Sequence, residues 1–362
     1  MIDPYSLLGP LLRSLPPEMS HRAAIGALRV FPPGTLSRGM LSRARPAVDD
    51  RRLAIDLWGL AFANPVGLAA GFDKSAEVFD RLAGWGFGFV EIGSVTPLPQ
   101  RGNQRPRLFR LREDRALINR MGFNNDGLER IARRLADGRR NGFPLIVGAN
   151  LGKSRDSPDA QADYVLGVQR LAPLVDYLAV NVSSPNTENL RALQAREPLS
   201  QLIEAVVEAR RAAKARAPIL VKLAPDLGNA EVEAIAEVVS QGKIDGLIIS
   251  NTTIARPRSL RSRHRDQAGG LSGPPLFAPS TMLIGDFYRL TAGRLPIIGV
   301  GGIESGDDAY AKIRAGASLI ELYTALVYQG PGLIARLKRD LLARLERDGF
   351  GRLSEAVGAD HR

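Results

Sequence analysis

Eight short apolar runs, separated by stretches of helical periodicity, constrain this chain more than any other feature. The runs are Pro65–Ala69, Phe87–Ile92, Leu145–Ala149, Tyr177–Val182, Ile219–Leu223, Gly246–Ser250, Ile297–Val300 and Leu319–Tyr323. They are rich in Val, Ile and Leu, as parallel strands covered on both faces should be. The spacing predicts helices near 75–84, 124–138, 160–172, 199–215, 229–240, 280–290, 306–315 and 332–346. Eight strands, each followed by a helix, is the count of a closed (β/α)8 TIM barrel, and 362 residues suit one such α/β domain. An open doubly wound sheet needs fewer strands, and no G-x-G-x-x-G follows the first run.

The first 45 residues read differently. Leu7, Leu8, Leu11, Leu12 and Leu15 form one stripe at helical spacing, stopped by Pro16 and Pro17. A second helix is expected from near Glu18, with Ile25, Leu28 and Phe31 on one side and Pro32-Pro33-Gly34 at its end. Arg13, Arg22, Arg29, Arg38, Arg43 and Arg45 surround these stripes. A pair of amphipathic helices with basic flanks suits a membrane surface. A helical hairpin packed on the main domain satisfies the same pattern. No run spans a bilayer and no signal peptide is read, so the expected location is the cytoplasm or a membrane face. The expected organisation is a helical segment over 1–45, the barrel over 46–350 and a frayed polar tail over 351–362.

Lys plus Arg outnumber Asp plus Glu by 49 to 38, a surplus that attracts anions: nucleic acid, acidic lipid or anionic metabolites. The absence of cysteine excludes disulfides, cysteine-ligated zinc, an in-chain iron–sulfur cluster and a thiol nucleophile. No metal site is read from the sequence.

Barrel chemistry sits at the C-terminal ends of the strands. The residues there are Lys74, Ser94, Asn150, Asn181, Ser183-Ser184-Pro185-Asn186, Lys222, Asn251-Thr252, Gly301-Gly302 and Tyr323-Thr324. Three connections at this end are long. The stretch 96–124 contains Arg107–Arg112 and Leu117–Arg120, which read as a small hairpin. The stretches 183–198 and 253–275 lack periodicity and read as lids. Gly299-Val300-Gly301-Gly302-Ile303 follows the seventh strand and opens a helix, where backbone N–H groups can approach a phosphate. A tight turn needing glycine is the alternative there. Lys74 and Lys222 at strand ends suit an anion, a polarised ring or a Schiff base. Asn119, Asn181, Asn186 and Asn251 each start a separate loop. As a set they suit a flat ring bearing carbonyls, N–H groups and a carboxylate, though singly each suits a turn or cap. The three histidines, His21, His264 and His361, and the lack of G-x-S-x-G speak against a Ser-His-Asp hydrolase.

Several segments resemble the dihydroorotate dehydrogenases. They are Ala70-Gly71-Phe72-Asp73-Lys74, Glu91–Pro97, Asn119-Arg120-Met121-Gly122-Phe123-Asn124-Asn125, Asn181–Asn186, Val221–Asp226, Ser250–Thr253, Gly269–Gly273 and Pro296–Ile303. The resemblance covers roughly residues 50–345, in order. It implies FMN, one per chain, as the phosphate compound. Gly302, Tyr323, Thr324 and Gly273 would hold its phosphate, and Ala70, Gly71, Ser94, Asn150, Lys222 and Ser250 would line its ring, with Lys74 and Asn181 shared with the substrate. Lys74, Asn119, Asn181, Asn186, Asn251 and Thr252 would hold dihydroorotate, and Arg120, Met121, Gly122 and Phe123 would complete that wall. Ser184 would be the base that takes a proton from C5 while hydride leaves C6 for the flavin.

Members with a soluble acceptor carry cysteine at the base position, so Ser184 resembles the quinone-using, membrane-associated class. In that class the N-terminal helices form the quinone entrance, and His21, Arg110 and Tyr323 match positions lining its tunnel. The resemblance further implies orotate as product in pyrimidine biosynthesis and a place on the cytoplasmic face of the bacterial inner membrane. It implies no nucleic acid, no iron–sulfur partner subunit, and a monomer or weak dimer. Ser94 and Phe72 depart from the commoner Thr and Leu without loss of the hydroxyl or the apolar contact.

Two other readings of the residues compete. A Schiff-base lyase would use Lys222 beside a bound phosphate, and trapping with borohydride would reveal it. A non-enzymatic basic protein acting on nucleic acid would cluster its charge among aromatics. Here the arginines are dispersed and aromatics are 6% of the chain.

Overall fold

The computed structural model describes residues 4–30 and 50–362. Phe31, the helix end at Pro32-Pro33-Gly34, Arg38, Arg43, Arg45 and the boundary at 45 lie outside them, as do the side chains of Leu7 and Leu8. Two helices open the chain, α1 (Pro4–Ser14) and α2 (Pro17–Val30), followed by a hairpin of β1 (Ile55–Leu57) and β2 (Leu60–Phe62). Then come β3 (Val66–Leu68), β4 (Phe89–Val95), a hairpin of β5 (Leu108–Leu111) and β6 (Ala116–Asn119), and α3 (Leu128–Arg140). The rhythm continues with β7 (Ile146–Leu151), α4 (Ala160–Leu171), β8 (Tyr177–Asn181), α5 (Arg196–Ala212), β9 (Ile219–Leu223), α6 (Asn229–Val239) and β10 (Gly246–Ile249). Next are β11 (Gly270–Ser272), α7 (Phe277–Leu290), β12 (Ile297–Val300), α8 (Gly306–Arg314) and β13 (Ala317–Leu322). The short α9 (Thr324–Gln329), α10 (Gly332–Arg347) and α11 (Leu353–Ala356) complete the chain.

The strands β3, β4, β7, β8, β9, β10, β12 and β13 close into a barrel, all parallel. All eight predicted runs are barrel strands. Alternate residues face opposite ways. Val90, Ile92, Val147, Val180, Val221, Leu247, Ile249 and Ile320 pack outward against the helices. Phe89, Tyr177, Ala179, Leu220, Ile248, Ile298 and Leu319 fill the interior. The β1–β2 hairpin supplies Ile55 and Phe62 to the same interior cluster and so stoppers the N-terminal end. Its rings meet edge to face, Phe62 on Phe89 at 5.4 Å between centroids, and Trp58 donates to the Asp245 carbonyl at 2.7 Å. Each such buried aromatic contributes about 1.5–3 kcal/mol. With that end closed, the working face is the other one.

The helices follow their apolar spacing. On α3 the buried set is Leu128, Ile131, Ala132 and Leu135, one stripe at i, i+3, i+4 and i+7. Asp159 and Ser305 cap α4 and α8 through the amides of Ala162 and Asp308.

Three expectations change. The predicted helix at 75–84 is a 3-10 segment, Phe79–Trp85. Buried Asp73 accepts the amides of Glu77 and Val78, at 2.7 and 2.8 Å, in place of a helical ladder, and Gly86 at φ 87° ends the segment. The stretch 253–275 is not a free lid. Its residues Gly270–Ser272 form β11, which pairs with β6 and extends the β5–β6 hairpin into a three-stranded sheet. The end of the chain is not frayed: Leu353 and Ala356 are buried, and His361 stacks on Tyr288 at 5.4 Å. These anchors, with the Arg314–Asp360 ion pair at 2.7 Å, dock a segment whose composition reads as polar.

Both readings of the N-terminal helices had them helical; the structure docks them on the barrel. The Tyr5 hydroxyl donates to the Val327 carbonyl at 2.8 Å, and Arg13 to that of Tyr328 at 3.1 Å. Glu18 receives Arg105 and Arg107. Among the described residues no helix is long and apolar enough to cross a membrane.

Candidate active site

One cleft of about 1310 Å³, partly open to solvent, occupies the C-terminal mouth of the barrel. Its floor is set by three ionisable side chains in inward register. Lys222 on β9 places Nζ 3.0 Å from Glu91 Oε1 on β4 and 3.8 Å from Glu321 Oε2 on β13. The Tyr177 hydroxyl lies 3.2 Å from both glutamates, and the Asn150 amide donates to Glu91 at 3.0 Å. Burial, reinforced by the neighbouring charge of Glu91, holds the Glu321 carboxyl well above the usual range. Burial works against the Lys222 ammonium, but the two glutamates outweigh it and hold it above its ordinary value. The floor is therefore a close ion pair of Lys222 with Glu91, beside a carboxyl of raised proton affinity. Glu321 Oε2 has no hydrogen-bond partner among the described residues, and Glu321 lines the cleft.

Above this floor stands an amide and hydroxyl network. Asn181 donates to Asn150 at 2.9 Å and to Ser94 at 3.1 Å, and Ser94 also bonds Asn150. Asn251 donates to Asn181 Oδ1 at 3.2 Å and to Ser183 at 3.0 Å. Asn186 donates to Asn119 Oδ1 at 3.2 Å. The four predicted asparagines thus converge as two linked pairs. Ser184 lines the cleft with its Oγ accepting the Asn186 amide at 3.2 Å. Lys74 reaches the Gly122 carbonyl at 3.4 Å, and burial, with Arg107 adding to it, brings its ammonium down to about 8.

The remaining predicted residues fall around the same space. Ala70, Gly71, Met121, Gly122, Phe123, Ser250, Thr252, Gly273, Gly302, Tyr323 and Thr324 all line it. Gly301 and Gly302 take φ of 113° and 75°, and a Cβ on Gly302 would meet Phe277 N and Cα at 2.6 Å. A Cβ on Gly71 would point toward the Tyr323 ring 3.8 Å away, into the cleft itself. Two residues stand behind the wall. Asn150 acts through Ser94 and Asn181. Arg120 turns away, donating to Pro106 and Gln267 with its guanidinium 4.7 Å over the Phe109 ring.

The loops that form the roof are tied down. Arg191 donates to the carbonyls of Ser183 and Thr252 and pairs with Asp226 at 2.9 Å. Arg256 holds the carbonyls of Gln267 and Gly269. Neither arginine stands out in the sequence, because surface-loop arginines are common in it.

A second cavity, about 730 Å³, lies between the N-terminal helices and the barrel rim. Leu12, Pro17, Ala24, Phe72, Trp85 and Leu326 make it largely apolar. His21, Leu108, Leu117 and Tyr323 line both cavities and form the partition between them. His21 Nε2 lies 2.7 Å from the Phe72 carbonyl, and burial holds its imidazole below the ordinary value. Arg110 reaches across the second cavity to the end of α1, donating to the carbonyls of Arg13 and Leu15 at 2.6 and 3.0 Å. Its buried Nε has no hydrogen-bond partner among the described residues.

Sequence reading missed the paired glutamates and Tyr177. The signal was present: Glu91 and Glu321 are carboxylates inside runs otherwise fit for a core, two residues on from the inward-facing Phe89 and Leu319.

A closed parallel barrel whose glycine turn, buried lysine–carboxylate floor and amide-rich mouth share one cleft has the architecture of an α/β-barrel enzyme. The sequence model described as dihydroorotate dehydrogenase matches residues 52–345. The dihydroorotate dehydrogenase (quinone) of Rhodospirillum rubrum is 56% identical over all of this chain and 96% of its own length. That of Xanthobacter autotrophicus is 52% identical over the whole of both chains. The crystal structure of DHODH from Eimeria tenella in complex with ferulenol superposes with a TM-score of 0.88 at 42% identity, over 95% of this chain and 96% of that one. The chain belongs to the dihydroorotate dehydrogenase family.

Proposed function

We propose that this chain oxidises (S)-dihydroorotate to orotate, in pyrimidine biosynthesis, and passes the electrons to a membrane quinone. The observation that carries this reading is the single cleft joining the glycine turn at one end to Ser184 and the paired asparagines at the other. The second cavity behind a shared wall supports the quinone part.

The residues present fit FMN, one per chain. The Gly301–Gly302 turn, Gly273 and the Tyr323-Thr324 corner would hold its phosphate, and Ala70, Gly71, Ser94, Asn181, Lys222 and Ser250 its ring, with Asn150 positioning Ser94 and Asn181 from behind. The space beside Gly71, which a Cβ would fill, supports that placement. When bound, the flavin accepts hydride from the substrate and passes electrons on to the quinone. Lys222, held charged by Glu91, sets positive charge at the floor of the site. Lys74 takes the substrate carboxylate. Asn119, Asn181, Asn186, Asn251 and Thr252 bind the ring's carbonyl and N–H groups, and Met121, Gly122 and Phe123 close the wall. Arg120 contributes by bracing that wall through Gln267 and Phe109. Ser184 takes the proton from C5 as hydride leaves C6, so proton and electron pair depart to different acceptors.

The quinone reaches Tyr323 through the cavity beside His21 and Arg110, whose unpartnered Nε suits a carbonyl oxygen. Leu11, Met19 and Val30 on the N-terminal helices are exposed, which suits a surface lying on lipid at the cytoplasmic face of the inner membrane. The protein acts as a monomer or weak dimer without an iron–sulfur subunit.

Anaerobic mixing with dihydroorotate, followed by quinone or NAD, tests the reading. The flavin absorbance should bleach with dihydroorotate and recover with quinone but not with NAD. Absent flavin colour, or recovery with NAD alone, would overturn it.

A further inference from the structure

A buried cation that the reaction does not use lies behind the glycine turn. Lys312, on α8, is 0% exposed. Its Nζ donates to Ser280 Oγ at 2.6 Å and Thr281 Oγ1 at 2.9 Å, both near the start of α7. It lies 5.0 Å from the centroid of the Phe277 ring. No carboxylate makes an ion pair with it among the described residues. Asp308 is the one charged group among them whose field is felt there, and that carboxylate is engaged with the Glu304 amide and the Ser305 hydroxyl. Burial pushes the ammonium down to about 7 against the pull of Asp308. A leucine would pack in such a place without that penalty.

What the ammonium touches explains its place. Ser280 Oγ, which it donates to, lies 3.3 Å from the Gly301 carbonyl oxygen. Phe277, whose ring it faces, is the residue that a Cβ on Gly302 would strike. Two of the three neighbours of Lys312, Ser280 and Phe277, are therefore neighbours of the turn, and Gly299 at its start lies 3.4 Å from the lysine Cδ, measured from an added Cβ.

We propose that Lys312 is the buried counter-charge of the phosphate site, a positioning residue that favours the dianionic phosphate on the Gly301–Gly302 turn without touching it. The proposal rests on reading that turn as the cofactor's phosphate site. Coupling runs both ways: phosphate on the turn stabilises the ammonium, and the ammonium stabilises the second negative charge. Low dielectric between them makes the field effective across the intervening Ser280 and Phe277.

The test is the 31P resonance of the flavin-loaded full chain, followed from about pH 5 to about pH 8, around the phosphate's ordinary second ionisation near 6. In the wild type the bound phosphate should titrate below free FMN in the same buffer. In Lys312→Met and in Lys312→Gln, which keeps hydrogen bonds to the two hydroxyls, the midpoint should rise by about one pH unit, a tenfold change in proton affinity. Lys312→Arg should restore it. A merely structural lysine would leave the midpoint in place, and equal midpoints in wild type and Lys312→Gln overturn the proposal. Should neither neutral variant fold, a wild-type midpoint at or above that of free FMN overturns it. A flavin-loaded chain with no protein-bound 31P signal overturns instead the assignment of the turn to phosphate.

Discussion

Replacing Lys222 with methionine removes the cation from a floor that holds two carboxyl groups, both wholly buried. Burial favours the protonated form of Glu321, so the charge left without its partner is that of Glu91, 3.0 Å from the missing ammonium. Removing one member of a buried pair costs about 3–5 kcal/mol. A ceiling applies, because the cavity can shed the charge by taking up a proton. For a carboxyl of ordinary affinity that costs about 4 kcal/mol at neutral pH and about 1 kcal/mol at pH 5. The folded variant then binds a proton that the unfolded chain has released. Relative to wild type, its stability must therefore fall as pH rises, by about 1.4 kcal/mol per unit, and recover as pH falls toward the unfolded carboxyl value. Urea unfolding of flavin-stripped wild type and Lys222→Met, at about pH 5, 6 and 7, reads this directly. Adding Glu91→Gln to Lys222→Met should return most of the loss. A loss that does not change with pH, or no loss at neutral pH, would refute the reasoning.

Ser184→Ala should lower the rate of flavin bleaching by dihydroorotate by about 10²–10⁴-fold while leaving flavin content unchanged, by stopped-flow absorbance. The KM for dihydroorotate should rise above about pH 8, because the Lys74 ammonium is lost there, and Lys74→Arg should flatten that rise. Gly302→Ala forces a Cβ against the Phe277 backbone at a φ of 75°, so purified protein should carry less flavin while its barrel circular dichroism persists.

The barrel was legible because burial on both faces leaves a strand little freedom of composition, so eight Val- and Ile-rich runs stand out. The same reading hid the floor of the site. Treating each run as uniformly apolar passes over Glu91 and Glu321, whose meaning lies in the period of two that turns them inward. The amides at the mouth were legible as a set, since their loop starts follow from the strands. Their pairing, Asn119 with Asn186 and Asn181 with Asn251, depends on distances across the barrel that no local pattern carries. Local hydrogen bonding from Asp73 displaced the first helix, and β11 at three residues is too short to show a period.

The partition of His21, Leu108, Leu117 and Tyr323 has a consequence for traffic. A charged, water-soluble reductant and an oil-soluble oxidant have no solvent in common. With the substrate in one cavity and the quinone in the other, as proposed, a wall four side chains wide would let each arrive from its own phase and leave by the same door, so neither would compete for the other's berth. Only reducing equivalents would need to cross, while both substrates stay on their own sides, and the protein would work as a junction between two solvents.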